Sequence, residues 1–198
     1  KQTELITLHD CFIRELKDGA RTVDMDPNVV ASPCDAIIGA CGAIEGQKVY
    51  QAKGFPYELS ELVDDTSFAK DFENGTFVTL RLKSSMYHRF HAPVDCQINR
   101  VVYLSGDTWN VNPATLKRIE KVFCKNERAY LRLAQPNSPG QIALVPIAAI
   151  LVASMRIHCL RDRLNLAYNG PKIIGCNARY KRGQEMGYFE HGSTIIMF

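Results

Sequence analysis

Apolar residues at Leu5, Leu8, Phe12, Ile13 and Leu16 recur at intervals of three and four, the period of a helix with one buried face. The spacing predicts an amphipathic helix over residues 3–17, with Gly19 as its stop. The pattern then changes to short runs rich in β-branched and aromatic residues, at 37–38, 48–53, 76–83, 97–104 and 129–133. Gly, Pro and Asn clusters separate these runs, as they separate strands. Three brief helical patches are predicted between them, at 57–63, 67–72 and 115–123. The longest apolar stretch, 142–155, is rich in Ile, Val and Ala and reads as a buried strand; it is too short to span a bilayer and contains Pro146. With no internal repeat, low-complexity tract or linker, residues 1–198 read as one mainly-β domain.

Composition narrows the class. A length of 198 residues suits one domain with a substantial core, and 46% hydrophobic with 23% charged residues is ordinary for a globular protein. A net charge of +3 is too small to argue for nucleic acid. Basic residues do cluster, at Arg156, Arg161 and Arg163 and again at Arg179, Lys181 and Arg182, where they can meet an anionic lipid surface or simply face solvent. No signal peptide begins at Lys1, and the abrupt start suggests a longer parent chain. The seven cysteines are scattered with no Cys-x-x-Cys, which argues against a disulfide framework or a zinc ribbon and favours a reducing compartment.

Two segments carry candidate chemistry. The first is His191-Gly192-Ser193-Thr194-Ile195-Ile196, which follows the glycine-punctuated run from Lys181 to Phe189. A Gly-Ser bond just before a β-branched run can be a self-cleavage point. The serine hydroxyl attacks the glycine carbonyl, the amide becomes an ester, and elimination with hydrolysis leaves a pyruvoyl group. Glycine suits the residue before the bond because it tolerates strain and leaves the approach open. The second is Met86-Tyr87-His88-Arg89-Phe90-His91-Ala92-Pro93-Val94-Asp95. Its histidines are three apart, which sends them to opposite faces of an extended strand and lets them converge in a turn. No Cys or acidic residue stands at ligand spacing beside them, so metal is disfavoured. Structural hydrogen bonding and acid–base catalysis both remain open for the pair.

Taken together, the histidine segment and the Gly-Gln-Glu-Met-Gly-Tyr-Phe…Gly-Ser-Thr ending resemble the phosphatidylserine decarboxylase family. Phe12-Ile13-Arg14-Glu15-Leu16, Ser32-Pro33-Cys34-Asp35, Gln51-Ala52-Lys53-Gly54, Asn74-Gly75-Thr76-Phe77 and Lys125-Asn126-Glu127-Arg128 agree in the same order. The resemblance implies a compact α+β, mainly-β sandwich or barrel related to lipoyl-type hybrid barrels, with an N-terminal helix and short peripheral helices. It implies cleavage between Gly192 and Ser193, giving a larger chain 1–192 and a smaller one beginning at 193–198. Asp35, His91 and Ser193 match the family's processing triad, with His91 drawing the Ser193 proton and Asp35 orienting the ring. The cofactor is then a pyruvoyl group derived from Ser193, an electron sink for loss of CO2 in the way pyridoxal phosphate is elsewhere. His88 is expected to be the general acid, or a group on the lipid phosphate. No metal is expected.

The implied substrate is a phosphatidylserine-type lipid, met at a peripheral membrane surface on the cytoplasmic side of a bacterium; a homodimer is compatible. The family usually begins with a further membrane-associating helical segment. This chain departs from the pattern at Ala36, Cys96 and His191, and at Pro146, Ala148 and Ala153 where glycines are common. Three other readings stay open: a pyruvoyl decarboxylase of a soluble amino acid or another serine-bearing lipid, a serine hydrolase, and a non-catalytic lipid- or partner-binding relative. The hydrolase lacks support from a Gly-x-Ser-x-Gly elbow around Ser193.

Overall fold

A computed structural model describes residues 7–52, 55–136, 138, 140–150 and 153–198. It opens with helix α1 (Leu8–Ile13), capped at its start by a reciprocal Thr7–Asp10 box. The expected helix 3–17 is thus shorter at its C-terminal end, and residues 3–6 lie outside the described set. Arg14 already has extended dihedrals, and the Arg89 guanidinium donates to the Ile13 and Arg14 carbonyls. A cation on the last free carbonyls ends a helix without glycine. Arg89 sits inside the histidine segment, so the cap also fixes α1 against that segment.

The strands are β1 (Ile37–Ala43), β2 (Lys48–Ala52), β3 (Phe55–Glu58), β4 (Thr76–Leu82), β5 (Arg89–His91) and β6 (Cys96–Leu104), then β7 (Arg128–Leu133), β8 (Ile142–Ala148), β9 (Met155–Ile157), β10 (Ile173–Tyr180), β11 (Glu185–Phe189) and β12 (Ser193–Met197). Between them lie helices α2 (Leu59–Val63), α3 (Thr66–Asp71), α4 (Pro113–Leu116) and α5 (Val122–Lys125). A seven-stranded antiparallel sheet runs β1-β4-β12-β8-β7-β6-β10, a three-stranded sheet runs β5-β11-β9, and β2 pairs with β3. The mainly-β α+β expectation holds.

Alternation along the strands makes two apolar layers. Leu80, Leu82, Ile98, Leu131, Leu144 and Ile195 face Phe90, Met155, Ile157, Met186 and Phe189 of the small sheet. The opposite face of the large sheet, with Phe77, Val102, Tyr130, Val145, Ile147 and Ile196, is covered by the helices and the β2–β3 pair. The central strands of the large sheet are therefore buried on both sides, which explains why β8 is apolar at every position.

Two expectations need correction here. The stretch 142–155 is not one strand: β8 ends at Ala148 and the chain crosses to the small sheet as β9. The crossing starts at Ile150 (φ 61), with Ala153 (φ 34) at its other end. Pro146 does not interrupt β8, because the β7–β8 pairing simply skips its level while β12 pairs straight through it. The patch 115–123 is two short helices, α4 and α5, separated at Lys121 (φ 55).

The Lys-Asn-Glu-Arg segment is scaffolding. Asn126, fully buried, accepts from the Trp109 amide (2.9 Å) and donates to the carbonyls of Trp109 (2.7 Å) and Ala148 (3.2 Å). It pins the end of β8 before the crossing. Asn126→Ala leaves these groups unpaired and is expected to lower stability by roughly 2–4 kcal/mol in urea unfolding. A change under about 0.5 kcal/mol, the scale of a neutral surface substitution, would remove this role.

Candidate active site

β5 decides where the two histidines go. Its central residue Phe90 is fully buried between the sheets, and His88, just before the strand, is fully buried against Phe12. His91 lies on the other face, partly exposed. The pair is thus separated, one ring buried and the other at the cavity.

His91 lines a cavity of about 670 Å³ together with Arg21, Asp35, Tyr87 and Glu185. The Ser-Pro-Cys-Asp turn is tied to β5 by a hydrogen bond from the His91 amide to the Pro33 carbonyl (2.7 Å). On the His91 ring, Nδ1 lies 2.9 Å from the Gly183 carbonyl and Nε2 3.1 Å from the Tyr87 hydroxyl. A carbonyl only accepts, so in the neutral ring Nδ1 carries the proton and Nε2 accepts from Tyr87. Asp35 is held by Arg21, whose Nε lies 3.0 and 3.1 Å from its two oxygens and whose Nη2 lies 2.6 Å from Oδ2. Burial pushes the Tyr87 hydroxyl up to about 12, reinforced by the charge of Glu185.

His88 occupies a different setting. Its Nδ1 lies 2.9 Å from the Met86 carbonyl, which makes Nδ1 the protonated nitrogen and leaves Nε2 with a lone pair. That Nε2 is buried without a hydrogen-bond partner. Burial holds the ring's pKa below the ordinary histidine value, and the nearby Arg14 and His191 push the same way against the Met86 carbonyl. The Phe12 ring packs edge-on against His88 (4.8 Å between centroids) and on His191 (5.4 Å). α1 thus joins His88 to the segment leading into β12.

Ser193 is the first residue of β12, paired with Leu82 on one side and Ala148 on the other. It shares a face with Ile195, so its side chain belongs to the layer between the sheets. Its hydroxyl is buried with no partner. The Gly192 carbonyl accepts from the Ala149 amide at 3.0 Å. A Cβ on Gly192 would stand 3.4 Å from Ile150 Cδ1, so limited room remains there, and it is Ile150 rather than Gly192 that has left-handed dihedrals. A β-branched residue in that region stores of order 1–3 kcal/mol. The expected strain at the Gly-Ser bond lies instead at Ile150, just past the end of β8.

The structure therefore brings Asp35 and His91 to one cavity, and His88 and Phe12 to the approach of β12. Among the described residues, Asp35, His91 and Ser193 do not hydrogen-bond one another. Sequence reasoning missed Arg21, Tyr87 and Glu185. Tyr87 was in view inside the histidine segment; Arg21 stands 14 positions before Asp35 in an irregular stretch with no pattern to mark it.

A family model described as phosphatidylserine decarboxylase matches residues 8–198. The chain is 36% identical over 199 residues to the phosphatidylserine decarboxylase proenzyme of Photobacterium profundum, covering 96% of this chain and 67% of the relative. It is 35% identical over 201 residues to the proenzyme of Vibrio cholerae (98% and 70%) and 34% over 198 residues to that of Coxiella burnetii (94% and 66%). This agreement runs through both candidate segments and the scaffold between them: the chain belongs to the phosphatidylserine decarboxylase family of carboxy-lyases.

Proposed function

We propose that this chain is a proenzyme that cuts itself between Gly192 and Ser193, converts Ser193 to a pyruvoyl group, and then decarboxylates phosphatidylserine. The observation that carries the reading is the Ser193 hydroxyl, buried and unpartnered at the head of β12, next to a carbonyl already polarised by the Ala149 amide. A buried polar atom without a partner is costly, and a functional role is one reason for it to persist. An N–H on the scissile carbonyl oxygen would stabilise the charge that builds there during attack.

In processing, a base takes the Ser193 Oγ proton as the oxygen attacks the Gly192 carbonyl carbon. The C–N bond breaks, that proton passes to the departing nitrogen, and an ester remains. A base then removes the Ser193 Cα proton as the carboxylate leaves Cβ, which frees the new C-terminus at Gly192; the enamine left behind tautomerises to an imine, and water converts that to the pyruvoyl carbonyl and ammonia. We assign the base to His91 and its orientation to Asp35; this requires Asp35 to leave Arg21, His91 Nδ1 to leave the Gly183 carbonyl, Nε2 to leave Tyr87, and the ring to turn from the cavity towards Ser193. A second reading is supported by one observation: His88 Nε2 already has a free lone pair, so His88 can be the processing base without any exchange of partners.

The pyruvoyl carbonyl supplies an electron sink for the bond that loses CO2. Ser193 and His88 fit that use, since both present buried polar atoms with no hydrogen-bond partner. The substrate's ammonium must shed a proton before its nitrogen can react. His88 Nε2 accepts that proton, and the imidazolium returns it to carbon after CO2 has left. Exposed Val23, Met25, Val29 and Val30 belong to the segment bordering the cavity, which supports a lipid rather than a soluble amino acid, met by peripheral association. No helix among the described residues is long and apolar enough to cross a membrane.

The test of the substrate is CO2 release from phosphatidylserine in mixed micelles against free serine and phosphoserine. The lipid is expected to be preferred by at least about a hundredfold in kcat/KM, the scale on which remote binding contributes to catalysis. Equal rates would transfer the reading to a soluble amino acid.

A further inference from the structure

On the side of the large sheet away from Ser193 lies a second cavity, of about 290 Å³. Strand register builds it. Thr194 pairs with Arg81, and Ile196 with Thr79, so Thr79, Arg81 and Thr194 stand on one face. β1 slips register between Ile38 and Cys41, and the small residues there, Gly39 and Ala40, open the wall beside Thr79. Leu116 and Phe123 from the α4–α5 region form the apolar lid, and Lys117 stands at the rim.

The polar groups in this cavity are unbalanced. The hydroxyls of Thr79 and Thr194 are buried, each residue 3% exposed or less, and neither has a hydrogen-bond partner. Gln51, by contrast, is satisfied on both ends: it donates to the Leu116 and Ile119 carbonyls and accepts from the Val122 amide. No carboxylate lines the cavity, and among the described residues the Arg81 and Lys117 side chains have no ion pair or hydrogen bond. Two hydroxyls and two cations thus face a space several times the volume of a water molecule, at the lower end of small-ligand pockets. Buried donors and unpaired cations call for a compact acceptor of negative charge, and the Leu116–Phe123 wall calls for an apolar body behind it.

We propose that this cavity binds a small organic anion: a carboxylate or phosphate head between Arg81, Lys117 and the two threonine hydroxyls, with a short apolar chain against Leu116 and Phe123. The site is distinct from the cleavage chemistry, because Thr194 and Ser193 point to opposite faces of β12.

Isothermal titration calorimetry of the purified protein with hexanoate, hexyl phosphate and hexanol tests it. Saturable binding of either hexyl anion is expected, with the tighter one naming the head group and hexanol weaker by at least about tenfold. Arg81→Gln, and separately the near-isosteric pair Thr79→Val with Thr194→Val, should each weaken the anion about tenfold while unfolding at temperatures near the parent's. Failure of both anions to bind overturns the proposal. So does hexanol binding as tightly as they do, or anion binding that neither variant alters.

Discussion

Ser193→Ala is expected to give one uncut chain with no measurable decarboxylation, a loss as large as the assay can register. Alanine removes the only atom proposed to attack Gly192, and without cleavage no electron-withdrawing carbonyl forms in the chain. Nothing else should fail. The hydroxyl makes no hydrogen bond, so removing it relieves a buried unpaired polar group and leaves the pairing of β12 with β4 and β8 intact. The variant should therefore unfold at or slightly above the parent's temperature. Loss of activity with normal stability is the signature of a chemical role; activity in this variant would contradict the mechanism.

The second large effect separates the histidines. His91→Ala is expected to block cleavage, because it removes the proposed base. His88→Ala is expected to be cut but to turn over at least about a hundredfold more slowly, the usual contribution of a positioned acid–base group. Gel separation of the two chains and CO2 release read these outcomes independently. If His88→Ala stays uncut while His91→Ala is processed, the base is His88, as its free Nε2 allows. Equal processing of both with Ser193→Ala uncut would remove both assignments. The pH dependence has a definite sign. The lowered pKa of His88 means that the unfolded chain binds the proton more readily, so this group stabilises the fold fully above about 6.5 and loses that contribution as pH falls. The acid limb of turnover should likewise lie below about 6.5.

Most of the sheet was legible because its strands are short, β-branched and bounded by turn residues, as at β4, β6 and β7. What escaped depended on tertiary partners. The helix pattern continues to Leu16, yet Arg89 ends α1 at Ile13 from 76 residues away. The stretch 142–155 is uniformly apolar, so nothing local revealed that it serves two sheets. β10 carries little strand signal of its own: Gly175, Asn177 and Ala178 have low strand propensity, and its alternate exposure shows only once β6 is beside it. Gly187 looked like motif punctuation, but a side chain there would collide with the Arg156 carbonyl and the Phe90 ring. The candidate residues themselves stood in two compact segments. Their partners, Arg21 on Asp35 and Gly183 on His91, are long-range contacts made by irregular segments, which no spacing encodes.

The central claim is that Ser193 becomes the cofactor, and a denaturing mass spectrum of the purified protein, with and without borohydride, tests it most directly. The account predicts two chains meeting at Gly192 and Ser193, with the smaller one blocked at its N-terminus and gaining mass as its carbonyl is reduced. A catalytically active protein with a single intact mass that borohydride leaves unchanged would contradict it.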